Sequence, residues 1–134
     1  MKQQIFFLDP YQFSNIFLFH NVALKIRKRE LGDKHVAVAS TLHNMGRICN
    51  EIENHETAMS CYSVALKIRE IQLGKDDLEV AFTLSNIGTT HLHLSQHDKA
   101  LKWYVSYIIA PFQKLHLFYF LNPCFPLYKV LSDH

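Results

Sequence analysis

Displaced by 42 residues, the chain aligns with itself. Ala-Leu-Lys-Ile-Arg at 23–27 returns at 65–69, Leu31-Gly32 returns as Leu73-Gly74, Val38-Ala39 as Val80-Ala81, and Thr41-Leu42 as Thr83-Leu84. Asn44, Gly46, His55, Ala58 and Tyr62 return as Asn86, Gly88, His97, Ala100 and Tyr104. Between 23–64 and 65–106, 16 of 42 positions are identical, where ordinary composition gives about two or three by chance. A period of this length marks a supersecondary unit used twice. Such a unit cannot bury its apolar face alone and does so by stacking on its neighbours.

Each unit reads as two helices. From 36 to about 51, apolar residues fall at 38, 42, 45, 48, 49 and 52, which is helical spacing and not strand alternation. A polar break comes next at Glu53-Asn54-His55. The second helix extends to about Leu73, with Ala58, Met59, Tyr62, Ala65, Leu66, Ile68 and Ile71 expected on its inner side, and Gly74 placed for a left-handed cap. In the second copy, Ser95-x-x-Asp98 resembles the start of a capping box. Gly46 and Gly88 lie inside helices, where glycine costs about 1 kcal/mol relative to alanine. Its repetition there predicts a close approach, with Ala58 and Ala100 as the matching small faces and Tyr62 and Tyr104 filling the space beside them.

This order of residues resembles the tetratricopeptide repeat: Leu42, Met45-Gly46, Cys49, Ala58, Tyr62, then Leu84, Ile87-Gly88, His91, Ala100, Tyr104. The 42-residue period, the Leu-Gly pair and the Val-Ala-x-Thr-Leu-x-Asn-x-Gly string look like the longer variant found in kinesin light chains and related proteins. The chain departs from the pattern in two ways. Cys49 and His91 stand where an aromatic is usual, and Leu-Gly replaces the helix-ending proline. The resemblance covers about 22–106. It implies an all-α fold of tandem antiparallel helix hairpins, a right-handed superhelix, and a protein-binding role in the cytoplasm with no cofactor.

The expected organisation is a partial preceding repeat helix with an atypical start at 1–34, repeats at 35–76 and 77–110, and an atypical segment at 111–134. Ile16, Phe19, Ala23 and Ile26 give 14–31 helical spacing. A third Ala-Leu-Lys-Ile-Arg is due at 107–111, where the chain reads Tyr-Ile-Ile-Ala-Pro. Of 17 aromatic residues, 15 lie outside 21–102. The ends admit two readings. In one, a short helix at 112–121 covers the exposed edge of the last repeat; in the other, both ends are foreign to the array.

The resemblance puts the first helix of each repeat on a concave face, where Asn44 and Asn86 hold equivalent places and an asparagine amide both donates to and accepts from a peptide backbone. The same residues also suit a bond to a neighbouring repeat. Helical spacing adds Ser40, His43, Arg47, Asn50 and Glu51 in the first copy, and Phe82, Ser85, Thr89 and His93, with apolar Leu92, in the second. The candidate contacts are Asn44, Asn86, Arg47 and His43, with Phe82 as an apolar anchor. Only Arg47 is available to clamp a carboxylate.

Other chemistries find little support. His91, His93 and His97 suggest a metal, but an inter-helix break separates the last two and no cysteine or carboxylate completes a tetrahedral set; structural histidines fit better. Lys25, Arg27, Lys28 and Arg29 form a basic run, half of which the repeat explains through Lys67 and Arg69, so it reads as a solvated face. The net charge of +2 argues for neither nucleic acid nor a membrane surface. Nucleophile-elbow, phosphate-loop, zinc-protease and dinucleotide motifs are absent from the sequence, so no enzyme activity is expected. Three cysteines without a CxxC fit a reducing compartment. The uncharged run 115–128 is shorter than the roughly 20 residues of a membrane helix. The expected partner is a protein or peptide. The alternatives are a cargo adaptor of the kinesin light chain type, or a structural piece of a longer array that self-associates through its apolar ends.

Overall fold

The computed structural model describes residues 10–121 as five helices: α1 (Pro10–Leu31), α2 (Val36–Glu51), α3 (His55–Leu73), α4 (Leu78–His93) and α5 (His97–Leu121). The described residues contain no strand, and none of their helices is long and apolar enough to cross a membrane. α2 pairs with α3 and α4 with α5, while α3 packs on α4 and α1 packs on α2. Pro10 opens α1 at the first helical position, where its missing N–H is not needed. α5 continues without a break across 110/111 and through Pro111, so no separate helix begins at 112. The atypical start expected before Pro10, and the part of the atypical end beyond Leu121, lie outside the described residues.

The connections repeat as faithfully as the helices. At Gly32 and Gly74 φ is +87°, and their N–H groups bond the carbonyls of Lys28 and Glu70. At Gly74 ψ is 155°, which lies beyond the left-handed helical basin expected from sequence, in a region essentially confined to glycine. The chain then re-enters a helix four residues later. His35 Nδ1 accepts from Ala37 N at 3.0 Å and Asp77 Oδ1 accepts from Glu79 N at 2.8 Å, capping α2 and α4.

Inside each hairpin the left-handed residue is Glu53 (φ 62°) or Ser95 (φ 57°). Asn54 N bonds Cys49 O at 2.8 Å and Glu53 N bonds Asn50 O at 3.0 Å; Gln96 N to His91 O and Ser95 N to Leu92 O repeat this. That pair of bonds is a Schellman closure. It corrects the assignment of Ser95 as an N-cap. The first helical bond of α5 runs from Ala100 N to Gln96 O, so Gln96 holds the cap, as Asn54 does for α3.

Two apolar clusters fill the stack. Val38, Leu42 and Met45 of α2 meet Cys61, Ala65 and Ile68 of α3, with Phe17 and Leu24 of α1 packed against them. Cys49, Ala58, Tyr62 and Leu66 meet Val80, Leu84 and Ile87 of α4, sealing one repeat to the next. Ile71, expected on the inner side of α3, is 73% exposed; it lies in the last turn, beyond the reach of α2 and α4. Cys49 and Cys61 are free, buried thiols. Burial pushes Cys49 up to about 11, with Cys61 adding to the rise, and burial also raises Cys61.

The mid-helix glycines make room for tyrosine rings. A Cβ on Gly46 would lie 2.8–3.0 Å from three ring carbons of Tyr62, which is 1% exposed. A Cβ on Gly88 would lie 3.1–3.2 Å from the ring of Tyr104, which is only half-buried. Leu42, Ala58, Leu84 and Ala100 are buried around these contacts. Overpacking at a fixed ring costs about 1–3 kcal/mol, against roughly 1 kcal/mol gained when alanine replaces a helical glycine. Gly46→Ala is therefore expected to destabilise the chain by up to about 2 kcal/mol in urea unfolding, the tightest contact (2.8 Å) favouring the upper half of that range. Gly88→Ala should stay within about 1 kcal/mol of wild type, because Tyr104 can move toward solvent. Equal stability for wild type and Gly46→Ala would contradict the contact.

Candidate functional site

The repeats are joined by a bond that occurs twice. From α1, Arg27 Nη1 donates to Thr41 Oγ1 at 2.5 Å and to Ala37 O at 3.2 Å, and the Thr41 hydroxyl donates to the same carbonyl at 3.0 Å. From α3, Arg69 Nη1 donates to Thr83 Oγ1 at 2.7 Å and to Glu79 O at 3.2 Å, and Thr83 donates to Glu79 O at 2.8 Å. Arg69 is 3% exposed; its Nη2 pairs with Glu79 Oε2 at 2.8 Å, while its Nε is buried without a partner. The basic run of Lys25, Arg27, Lys28 and Arg29 is exposed, as a solvated face requires, whereas Arg69, the repeat counterpart of Arg27, is buried. The sequence signal was present: an arginine with a threonine 14 residues later in both copies.

The second junction also holds His43 of α2. Arg69 Nη1 lies 3.0 Å from His43 Nδ1, and Asn86 Nδ2 of α4 lies 3.0 Å from His43 Nε2. The edge of the imidazole meets Tyr62, with ring centroids 5.3 Å apart. Burial, then the charges of Arg69 and Arg47, lower the His43 pKa to about 4. The ring is therefore neutral at physiological pH, and two cations stand beside it.

The other candidate residues divide into open and engaged. Asn44 and Arg47 are exposed on α2, and neither side chain has a hydrogen-bond or ion-pair partner among the described residues. Phe82 on α4 is 56% exposed, one turn before half-buried Asn86. Thr89 pairs with the Tyr104 hydroxyl at 2.8 Å. Asn50 does not face outward: its Nδ2 donates to Thr90 Oγ1 at 2.8 Å across the repeats, and its Oδ1 lies 2.9 Å from His55 Nδ1. His93 stacks on His55 with centroids 4.8 Å apart, and His91 bonds Gln96 at 2.8 Å. Among the described residues no group of three or more His, Cys, Asp or Glu is placed to hold a metal.

Residues 19–71, which take in most of α1, all of α2 and most of α3, match the model of the tetratricopeptide repeat family. No curated protein matches the sequence. Among solved structures, the crystal structure of BtubC (BKLC) from P. vanneervenii is similar, with a TM-score of 0.72 and 20% sequence identity over 77% of this chain. The matched region spans 41% of that chain's length, and at this identity the likeness shows the fold. Residues 19–71 are thus similar in sequence to tetratricopeptide repeats, and the stack of paired helices agrees with that likeness in fold.

The two arginine bonds differ in burial, and so should the cost of breaking them. Thr83→Val strands a guanidinium proton in the interior and is expected to cost about 1–3 kcal/mol. Thr41→Val faces the exposed Arg27, where water replaces the hydroxyl, and should cost less than about 1 kcal/mol. Urea titration of the two variants checks the order.

His43 has a folded-state pKa below its unfolded value, so between about 4 and 6.5 the unfolded chain binds more protons and stability rises with pH. The contribution is complete above pH 6.5 and is lost as pH falls toward 4. The melting temperature of the wild type should drop across this window more than that of His43→Gln. Parallel curves for the two would rule out the buried neutral ring.

Proposed function

We propose that this tetratricopeptide-repeat chain is a non-catalytic scaffold whose α2–α4 face binds an extended segment of a partner protein. Asn44, Asn86, Arg47, His43 and Phe82 are the contact residues. The observation that carries this is the combination on one face of open and fixed groups. Asn44, Arg47 and Phe82 are open to solvent, while the 3.0 Å contact of His43 with Asn86 ties the two helices into one surface. Asn44 offers both poles of an amide to a main chain, Arg47 supplies a charge, and Phe82 supplies apolar area. The 42-residue period supports a repeat of the kinesin light chain-like type and, with it, an adaptor role. Two buried free thiols support a reducing cytoplasm as its setting.

A second reading has its own observation. On α1, Phe19 and Ile26 are exposed, whereas Cys61 and Ile68, 42 residues later, are buried beneath α2. That uncovered edge supports a role as one part of a longer array, or association of two copies through α1.

Peptide display against the purified chain tests the first reading. Selected peptides should lose about tenfold or more in affinity for the Asn44→Ala/Arg47→Ala/Phe82→Ala variant, measured by fluorescence anisotropy. Peptides that bind the wild type and the triple variant equally would remove this face from the binding mechanism.

A further inference from the structure

We infer that Arg69 is a positioning residue: acting through His43, it fixes the side-chain amide of Asn86 as a hydrogen-bond donor toward the α2–α4 face, so that a segment bound there supplies an acceptor such as a backbone carbonyl. The inference rests on the binding face proposed above and adds to it the polarity of one contact.

Counting protons sets that polarity. Arginine has N–H donors only, and the two protons of Arg69 Nη1 are shared among Thr83 Oγ1, Glu79 O and His43 Nδ1, so the 3.0 Å contact with His43 Nδ1 requires a lone pair on Nδ1. A neutral imidazole that accepts at Nδ1 carries its proton on Nε2. The opposite tautomer would aim two donors at each other, and its alternative acceptor, Thr83 Oγ1 at 3.5 Å, is too distant for a sound bond. Thr83 also holds its place by donating to Glu79 O and accepting from Arg69.

With the proton on Nε2, the group 3.0 Å away on Asn86 has to be an acceptor. Nitrogen and oxygen of an amide are interchanged by a half-turn, and the hydrogen-bond network decides between them. The bond therefore calls for the Asn86 oxygen at the ring and its NH2 turned away, a half-turn from the placement in which Nδ2 faces Nε2. The charged and titratable groups around the ring are Arg69 and Arg47, with Tyr62 at its edge and Glu79 neutralising Arg69 from the far side. None of these supplies a carboxylate to the imidazole, so the ring stays neutral and the relay stays set.

The first repeat lacks this device. The position 42 residues before His43 is Met1, and exposed Asn44 bonds no imidazole among the described residues, so it can turn either pole to a partner. The two asparagines that the repeat makes equivalent are thereby unequal: one adapts and the other donates.

Nitrogen-15 NMR of the free, full-length chain tests the relay at pH 7. The imidazole shifts of His43 should report the Nε2–H tautomer, and the Asn86 NH2 protons should exchange freely with solvent. In Arg69→Met the tautomer populations should shift toward Nδ1–H, and Arg69→Lys, which restores a donor, should reverse part of that shift. A proton on His43 Nδ1 in the wild type overturns the inference, as does an unchanged tautomer in an Arg69→Met chain with a wild-type circular dichroism spectrum. If Arg69→Met fails to fold, the wild-type and Arg69→Lys tautomers decide alone. The NMR experiment uses no ligand, so its outcome is separate from the display experiment: the relay can stand while the face binds nothing, and peptides can bind while the relay fails.

Discussion

A guanidinium taken out of water organises this stack. An ion moved into a protein interior loses several kcal/mol of hydration, and only well-placed partners offset that loss. Arg69 finds them on two helices other than its own: the Glu79 carboxylate, the Thr83 hydroxyl and a main-chain carbonyl on α4, and an imidazole on α2. One side chain thus fixes how α3, α4 and α2 meet. The apolar clusters supply area but little direction, since area burial is not directional. The arginine bond supplies the register, and Arg27 sets the same relation between α1 and α2 with less burial.

Much of this is legible in the sequence, and the reasons are specific. The glycine at 46 and the tyrosine at 62 announce each other, because a helical glycine is costly unless a bulky ring occupies its missing side chain. Helix spans emerge from apolar spacing because the repeat shows each pattern twice. Arg69 is hidden because an arginine on a helix usually faces water; only its fixed distance from a buried threonine marks it. Ser95 misleads because a serine two residues before a helix mimics a cap, whereas the backbone uses it as the left-handed residue of a Schellman closure. α5 passes through Pro111 although proline brings no N–H for the carbonyl four residues back.

The candidate face shows the limits of repeat symmetry. Equivalent positions have equivalent backbones but different neighbours: His43 occupies a place taken by serine in the next repeat. Electrostatics there is local. Burial, with two arginines beside the imidazole, leaves the ring uncharged. The period assigns a residue its position within a unit. It does not assign the bonding state of Asn86, whose partner comes from another repeat.

The two thiols of the interior have a consequence for measurement. Cys49 and Cys61 sit on facing helices of the first hairpin, shielded, with thiols that resist ionisation. Only a thiolate attacks an alkylating reagent at a useful rate, so each atom is silent while α2 and α3 stay closed. When the pair parts, water reaches the sulfur, its acidity returns, and modification becomes irreversible. The rate of that chemistry clocks excursions of a single hairpin within a folded array, without any label having been engineered into it.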